Sequence, residues 1–91
     1  MIRDMSITHD EFFRLLPKAL KNRRYEILNN VVHVTLAHGN ITISLSPQTS
    51  RELGSLVLPV TRINFAIKNC PEVVRLKFFE DFDLAYQKGG G

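Results

Sequence analysis

Residues Leu56–Ile67 read LVLPVTRINFAI, and this stretch decides how the chain folds. From Thr61 onward apolar and polar residues alternate. Ile63, Phe65 and Ile67 fall on one side and Arg62 and Asn64 on the other, as in a strand with one buried and one wet face. From Leu56 to Val60 the alternation stops. Leu56, Leu58 and Val60 lie on the face that they share with Arg62, which should meet water, so a cover is expected there and a partner chain is the simplest one. Pro59 lacks a ladder donor, which points to a sheet edge or a bulge. An apolar edge left open invites association.

The segments before this strand are shorter. Thr8 with Glu11 three residues later forms a capping-box pattern that opens a helix. Phe12, Phe13, Leu15, Leu16, Ala19 and Leu20 give that helix a broad apolar face. Pro17 should kink it or split it in two, because proline cannot donate to the Phe13 carbonyl, and Asn22 should end it. Arg23–Leu28, Val31–Ala37 and Ile41–Ser46 read as strands joined by turns at Asn29-Asn30 and His38-Gly39-Asn40. Their connections are too short for parallel crossovers, so they form an antiparallel meander. Pro47–Ser55 reads as a polar connection with a helical turn around Thr49–Leu53.

After the long strand, Cys70 is expected as an N-cap and Pro71 as the first residue of a final helix. Val73, Val74, Leu76, Phe78, Phe79, Phe82, Ala85 and Tyr86 supply its apolar surface. The predicted fold is α+β in the order α-β-β-β-β-α: a mostly antiparallel four-stranded sheet with two helices packed on one face. Residues 1–91 are expected to make a single small domain whose glycine-rich tail, 89–91, is flexible.

Composition narrows the function classes. A chain of 91 residues with 44% apolar content is ordinary globular material with a small core. One cysteine permits no internal disulfide, and no apolar run reaches the length of a bilayer span. The amino-terminal residues do not form a secretory signal, so a soluble cytoplasmic protein is expected. A net charge of +3 is too small to imply nucleic acid by itself.

The chemistry-bearing residues form no recognisable constellation. His9, His33 and His38 show no metal-ligand spacing with one another or with Cys70, and no metal or cofactor is expected. Cys70 has no neighbouring base, and it reads as a cap or a small packed side chain. Glu80, Asp81 and Asp83 read as solvated helix surface, with 81 pointing away from the other two. The terminal glycines resemble the diglycine of sulfur carriers only in composition, since those tails follow a strand. No residue is assigned a catalytic role, and enzymatic activity is disfavoured.

The leading reading is association with a protein partner, as a homodimer or an accessory subunit. Its contact is expected at Leu56, Leu58 and Val60, with Val31 or Leu28 extending it and Arg62 and Asn64 forming a polar rim. One alternative is a ligand or catalytic pocket between sheet and helices near His33, Tyr25 or Arg62. A second is weak nucleic-acid or anion binding, in which Lys18, Lys21, Arg23 and Arg24 contact phosphates and Tyr25 stacks on a base. Nucleic acid is the less favoured partner, and no membrane contact is expected.

Overall fold

The computed structural model describes residues 1–87; the glycine tail at 89–91 lies outside them. Among the described residues there are six strands and two helices, not the four strands expected. In chain order they are β1 (Ile2–Met5), α1 (His9–Leu20), β2 (Arg24–Leu28), β3 (Val31–Thr35), β4 (Asn40–Leu45), β5 (Thr49–Leu53), β6 (Leu56–Lys68) and α2 (Glu72–Gln87). Every pairing is antiparallel, and the sheet runs β1-β6-β4-β3-β2 with β5 attached to β6 alone.

Two strands escaped the sequence reading. β1 is four residues long and carries Arg3 and Asp4 at its centre, a composition with little strand signal of its own. It exists because β6 offers it a ladder, with Ile2 opposite Asn64 and Met5 opposite Thr61. β5, TSREL, is the segment expected to hold a helical turn. It instead pairs with Leu56–Val60 across a tight hairpin in which Gly54 has φ +62. Gly-Ser between two strands is a recognised hairpin signal, and that dipeptide stood in view.

The core follows from the alternation. Val32, Val34, Ile41, Ile43, Leu45, Ile63 and Phe65 are buried on one sheet face, against Phe12, Leu16 and Leu20 of α1 and Phe78, Phe82 and Tyr86 of α2. Arg62 and Asn64 face outward. The rings of Phe65, Phe79 and Phe82 meet edge to face, and Phe12 stacks on Tyr86 with 5.1 Å between centroids. Two polar groups lock the layers together. Thr61 Oγ1 donates to the Ile7 carbonyl at 2.8 Å and Tyr86 Oη to the Phe12 carbonyl at 2.7 Å, and both side chains are buried.

Local details also depart from expectation. α1 runs unbroken through Pro17, which lies exposed in its last turn, and the helix ends at Lys21 (φ 56) rather than at Asn22. Pro17 gives up the bond to the Phe13 carbonyl without breaking the helix. At α2 the first intrahelical bond runs from Arg75 N–H to the Pro71 carbonyl, so Pro71 occupies the cap position and Cys70 lies before it. Val73, Leu76 and Leu84 are exposed rather than packed, because α2 turns its Phe78–Tyr86 face to the sheet.

Candidate functional site

β6 does two jobs. Its second half, Thr61–Lys68, sits inside the sheet between β1 and β4. Its first half, Leu56–Val60, leaves the sheet with β5 as a two-stranded arm. Thirteen strand residues span about 43 Å at about 3.3 Å each, which matches the molecule's long dimension of 45 Å against 25 and 21 Å for the others.

A bulge launches the arm. Between the pairs Leu45–Ile63 and Thr49–Val60, three residues, Ser46–Gln48, stand opposite two, Thr61 and Arg62. The extra residue inverts the strand's parity. Odd positions face the core in β4, whereas in β5 Thr49, Arg51 and Leu53 share the outer face with Val60, Leu58 and Leu56. Three hydrogen bonds pin the bulge: Ser46 N–H to the Arg62 carbonyl at 2.9 Å, Arg62 N–H to Ser46 Oγ at 3.1 Å, and His9 Nε2 to the Ser46 carbonyl at 2.7 Å. His9 N–H adds a bond to Gln48 Oε1.

These bonds also give the backbone direction. Arg62 presents its N–H and C=O to the β4–β5 side, and Phe65 bonds Met1 on the β1 side. Alternation along the strand therefore turns Pro59 to the side where the arm has no neighbour. Its missing N–H removes a donor from the arm's open edge. Proline is placed where it discourages strand-to-strand pairing and leaves the faces of the arm available.

Among the described residues no core lies beneath the arm. Leu53, Leu56 and Val57 are 53%, 61% and 63% exposed, and Leu58, Pro59 and Val60 are half-buried. Arg62, at the root, is held by Asp4 at 2.9 Å, and this guanidinium keeps the Asp4 carboxyl below its ordinary pKa. Val31 and Leu28 do lie on the outer face, but β4 and its Ser44 separate them from β6. They do not extend the Leu56–Val60 surface.

The basic group is rearranged by an acid that sequence placed in solvent. Asp81 is 3% exposed and meets Arg23 at 3.0 Å, Lys21 at 3.2 Å and Lys77 at 3.3 Å. The two ammonium groups lie at ion-pairing distance from Oδ1 without a directed hydrogen bond. Burial pushes the Asp81 pKa up, but the three cations more than offset it and the net shift is downward. Arg23 also stacks over Phe78, 5.5 Å from the ring centroid. Lys21 and Arg23 are thus engaged within the fold, while Lys18 and Arg24 are exposed and Tyr25 packs against the core from the opposite face to Arg24.

The remaining candidates stay apart. His33 and Arg62 point outward and Tyr25 inward, so they do not converge, and aromatic rings fill the space between sheet and helices. His9 is tied to the bulge, whereas His38 is in the β3–β4 turn at the opposite end of β4. Cys70 Sγ makes long contacts with the Asn40 and Lys68 carbonyls. Among the described residues no group of His, Cys, Asp and Glu could hold a metal, and no helix is long and apolar enough to cross a membrane. Compared with protein-family models, with curated proteins and with solved structures, the chain matches none of them.

Proposed function

We propose that this chain acts by protein–protein association, as an accessory subunit that presents the β5–β6 arm to another protein. The observation that carries this reading is the arm: two strands with Leu53, Leu56 and Val57 exposed and, among the described residues, no layer packed on either face. A two-stranded hairpin is marginally stable alone, so burial of these residues against a partner would stabilise arm and complex together. An arm face of about 17 Å by about 10 Å is well short of the roughly 800 Å² per partner of a standard interface. Arm-to-arm contact alone is therefore too small for a stable homodimer, and insertion into a larger surface suits it better.

The test is reconstitution. A protein captured from the source cells by the wild-type chain is identified, purified and titrated against wild type and Leu58→Glu. The reading expects the affinity to fall about 100-fold, as for loss of a buried anchor, with unchanged melting of the free chain. Equal binding by both proteins would refute the arm as the contact.

A further inference from the structure

We propose that the partner protein meets the outer face of the arm with a carboxylate beside an aliphatic side chain, the carboxylate on Arg51 and the aliphatic group on Leu56 and Leu58. This rests on the association reading and deepens it by naming the face of the arm and the chemistry of the partner.

The strand register divides the arm into two unlike faces. Thr49 stands opposite Val60, Arg51 opposite Leu58 and Leu53 opposite Leu56, and these side chains share the side of β6 that carries Arg62. Ser50, Glu52, Val57 and Pro59 make the other face. That inner face runs into the Ile7–His9 segment, where Thr61 bonds the Ile7 carbonyl and His9 N–H bonds Gln48. The outer face runs on to the open side of the sheet and holds more of the apolar surface. Leu53 and Leu56 are more than half exposed there, and Leu58 and Val60 are half-buried.

The cation on this face lacks a partner. Arg51 is exposed and in no ion pair among the described residues, and its neighbour Glu52 points to the opposite face. A groove of about 570 Å³ at the arm root brings Arg51 together with Thr49, Val60, Arg62 and Asp4. Asp4 is already taken by Arg62 through two hydrogen bonds, at 2.9 and 3.3 Å. The Arg62 bond first, and the field of Arg51 after it, hold the Asp4 carboxyl below its ordinary pKa. One carboxylate thus serves two guanidinium groups, and the groove keeps a positive charge. Docking on Leu58 takes its cross-strand neighbour Arg51 out of water, and a cation covered without a counter-charge is costly. A partner that covers Leu58 therefore has to supply the anion. Nucleic acid and anionic bilayers suit the face less well, because each is held by several cations and this face has one open. A second copy docked through the same face would bring its own Arg51 and a groove of the same sign.

Selection from a displayed library of random peptides on the wild-type chain tests the chemistry. Selected peptides are titrated by fluorescence anisotropy against wild type, Arg51→Glu, Arg51→Lys, Glu52→Lys and Leu58→Glu. Arg51 and Glu52 are exposed and unpaired among the described residues, so their substitution should leave the thermal melt unchanged. The expected peptides are enriched in aspartate or glutamate beside leucine, isoleucine or valine. Their affinity should fall about tenfold or more in Arg51→Glu and in Leu58→Glu, hold largely in Arg51→Lys, and not fall in Glu52→Lys on the other face. Peptides with no acidic excess, or equal binding by wild type and Arg51→Glu, overturn the proposal. So does a selection that yields no peptide dependent on Leu58, including one in which only single-stranded DNA or anionic vesicles bind through Arg51. Peptides that need Leu58 but not Arg51 remove the carboxylate and leave the arm as the contact, whereas the association reading falls only if the captured protein ignores Leu58→Glu.

Discussion

Arg23 and Asp81, 58 positions apart in sequence, meet at 3.0 Å and tie the residue just before β2 to the middle of α2. The pair is shielded on one side by the Phe78 ring beneath the guanidinium. Removing one partner of such a buried pair leaves the other charge stranded, which is worth more than the pair itself. Asp81→Asn should therefore destabilise the chain by about 2–3 kcal/mol, below the fully buried range because Lys21 and Lys77 remain hydrated. Urea unfolding monitored by circular dichroism measures it, and a wild-type midpoint in the variant would contradict the role assigned here.

The same carboxylate sets the acid limb of stability. Its folded pKa lies below its unfolded one, so its contribution is present above the unfolded carboxylate value and is lost as pH falls through the folded value. Urea midpoints taken between about pH 2 and pH 5 should fall with acid in wild type and fall less steeply in Asp81→Asn.

On the alkaline side the relevant group is Tyr86, whose pKa burial raises while its hydroxyl donates to the Phe12 carbonyl. A raised folded pKa means stability present below the unfolded tyrosine value of about 10 and lost above it. Tyr86→Phe should cost about 1–2 kcal/mol at neutral pH and should lessen the alkaline loss. Melting curves recorded from neutral pH to about pH 11 read both effects.

Gly39 and Gly54 are both turn glycines with positive φ, yet their substitutions should differ. A Cβ at Gly39 would sit 2.4 Å from the Lys68 carbonyl oxygen and 2.5 Å from that of Asn69, at φ +98. At Gly54 nothing lies within 4 Å and φ is +62. Gly39→Ala should cost more than about 2 kcal/mol, and Gly54→Ala about 1 kcal/mol. Equal losses in paired thermal melts would count against the Gly39 packing described above.

Pro59→Val would restore an N–H to the open edge of the arm without making the arm less apolar. The expected outcome is concentration-dependent aggregation, seen as a rise in scattered light and thioflavin binding, while the monomer's melting midpoint stays close to wild type. A variant as soluble as wild type would show that Pro59 is not the guard.

Sequence made the strong local patterns legible. The Thr61–Ile67 alternation, the Thr8 cap with its bond from Glu11 N–H, and the short turns of the β2–β3–β4 meander each rest on neighbours within a few residues. β1 was not legible, because IRDM has strand character only when β6 lies beside it. β5 was half legible, through Gly54-Ser55, but Arg51, Glu52 and Leu53 favour a helix as readily as a strand. The Asp81 cluster was hidden for a different reason. Helical periodicity separated Asp81 from Glu80 and Asp83, but nothing local says that Lys21 and Arg23 wait on the far side.

What the sequence by itself determined, then, is which side of β6 faces the core and where its apolar pattern breaks, since both follow from a two-residue period along one strand. Only tertiary structure decided what that break means. One extra residue at Ser46–Gln48 inverts the parity of β5 where it pairs with Leu56–Val60, and these residues form a two-stranded arm instead of another row of the core. Strand parity is a local property, whereas the length of sheet that two helices can cover depends on how every layer packs.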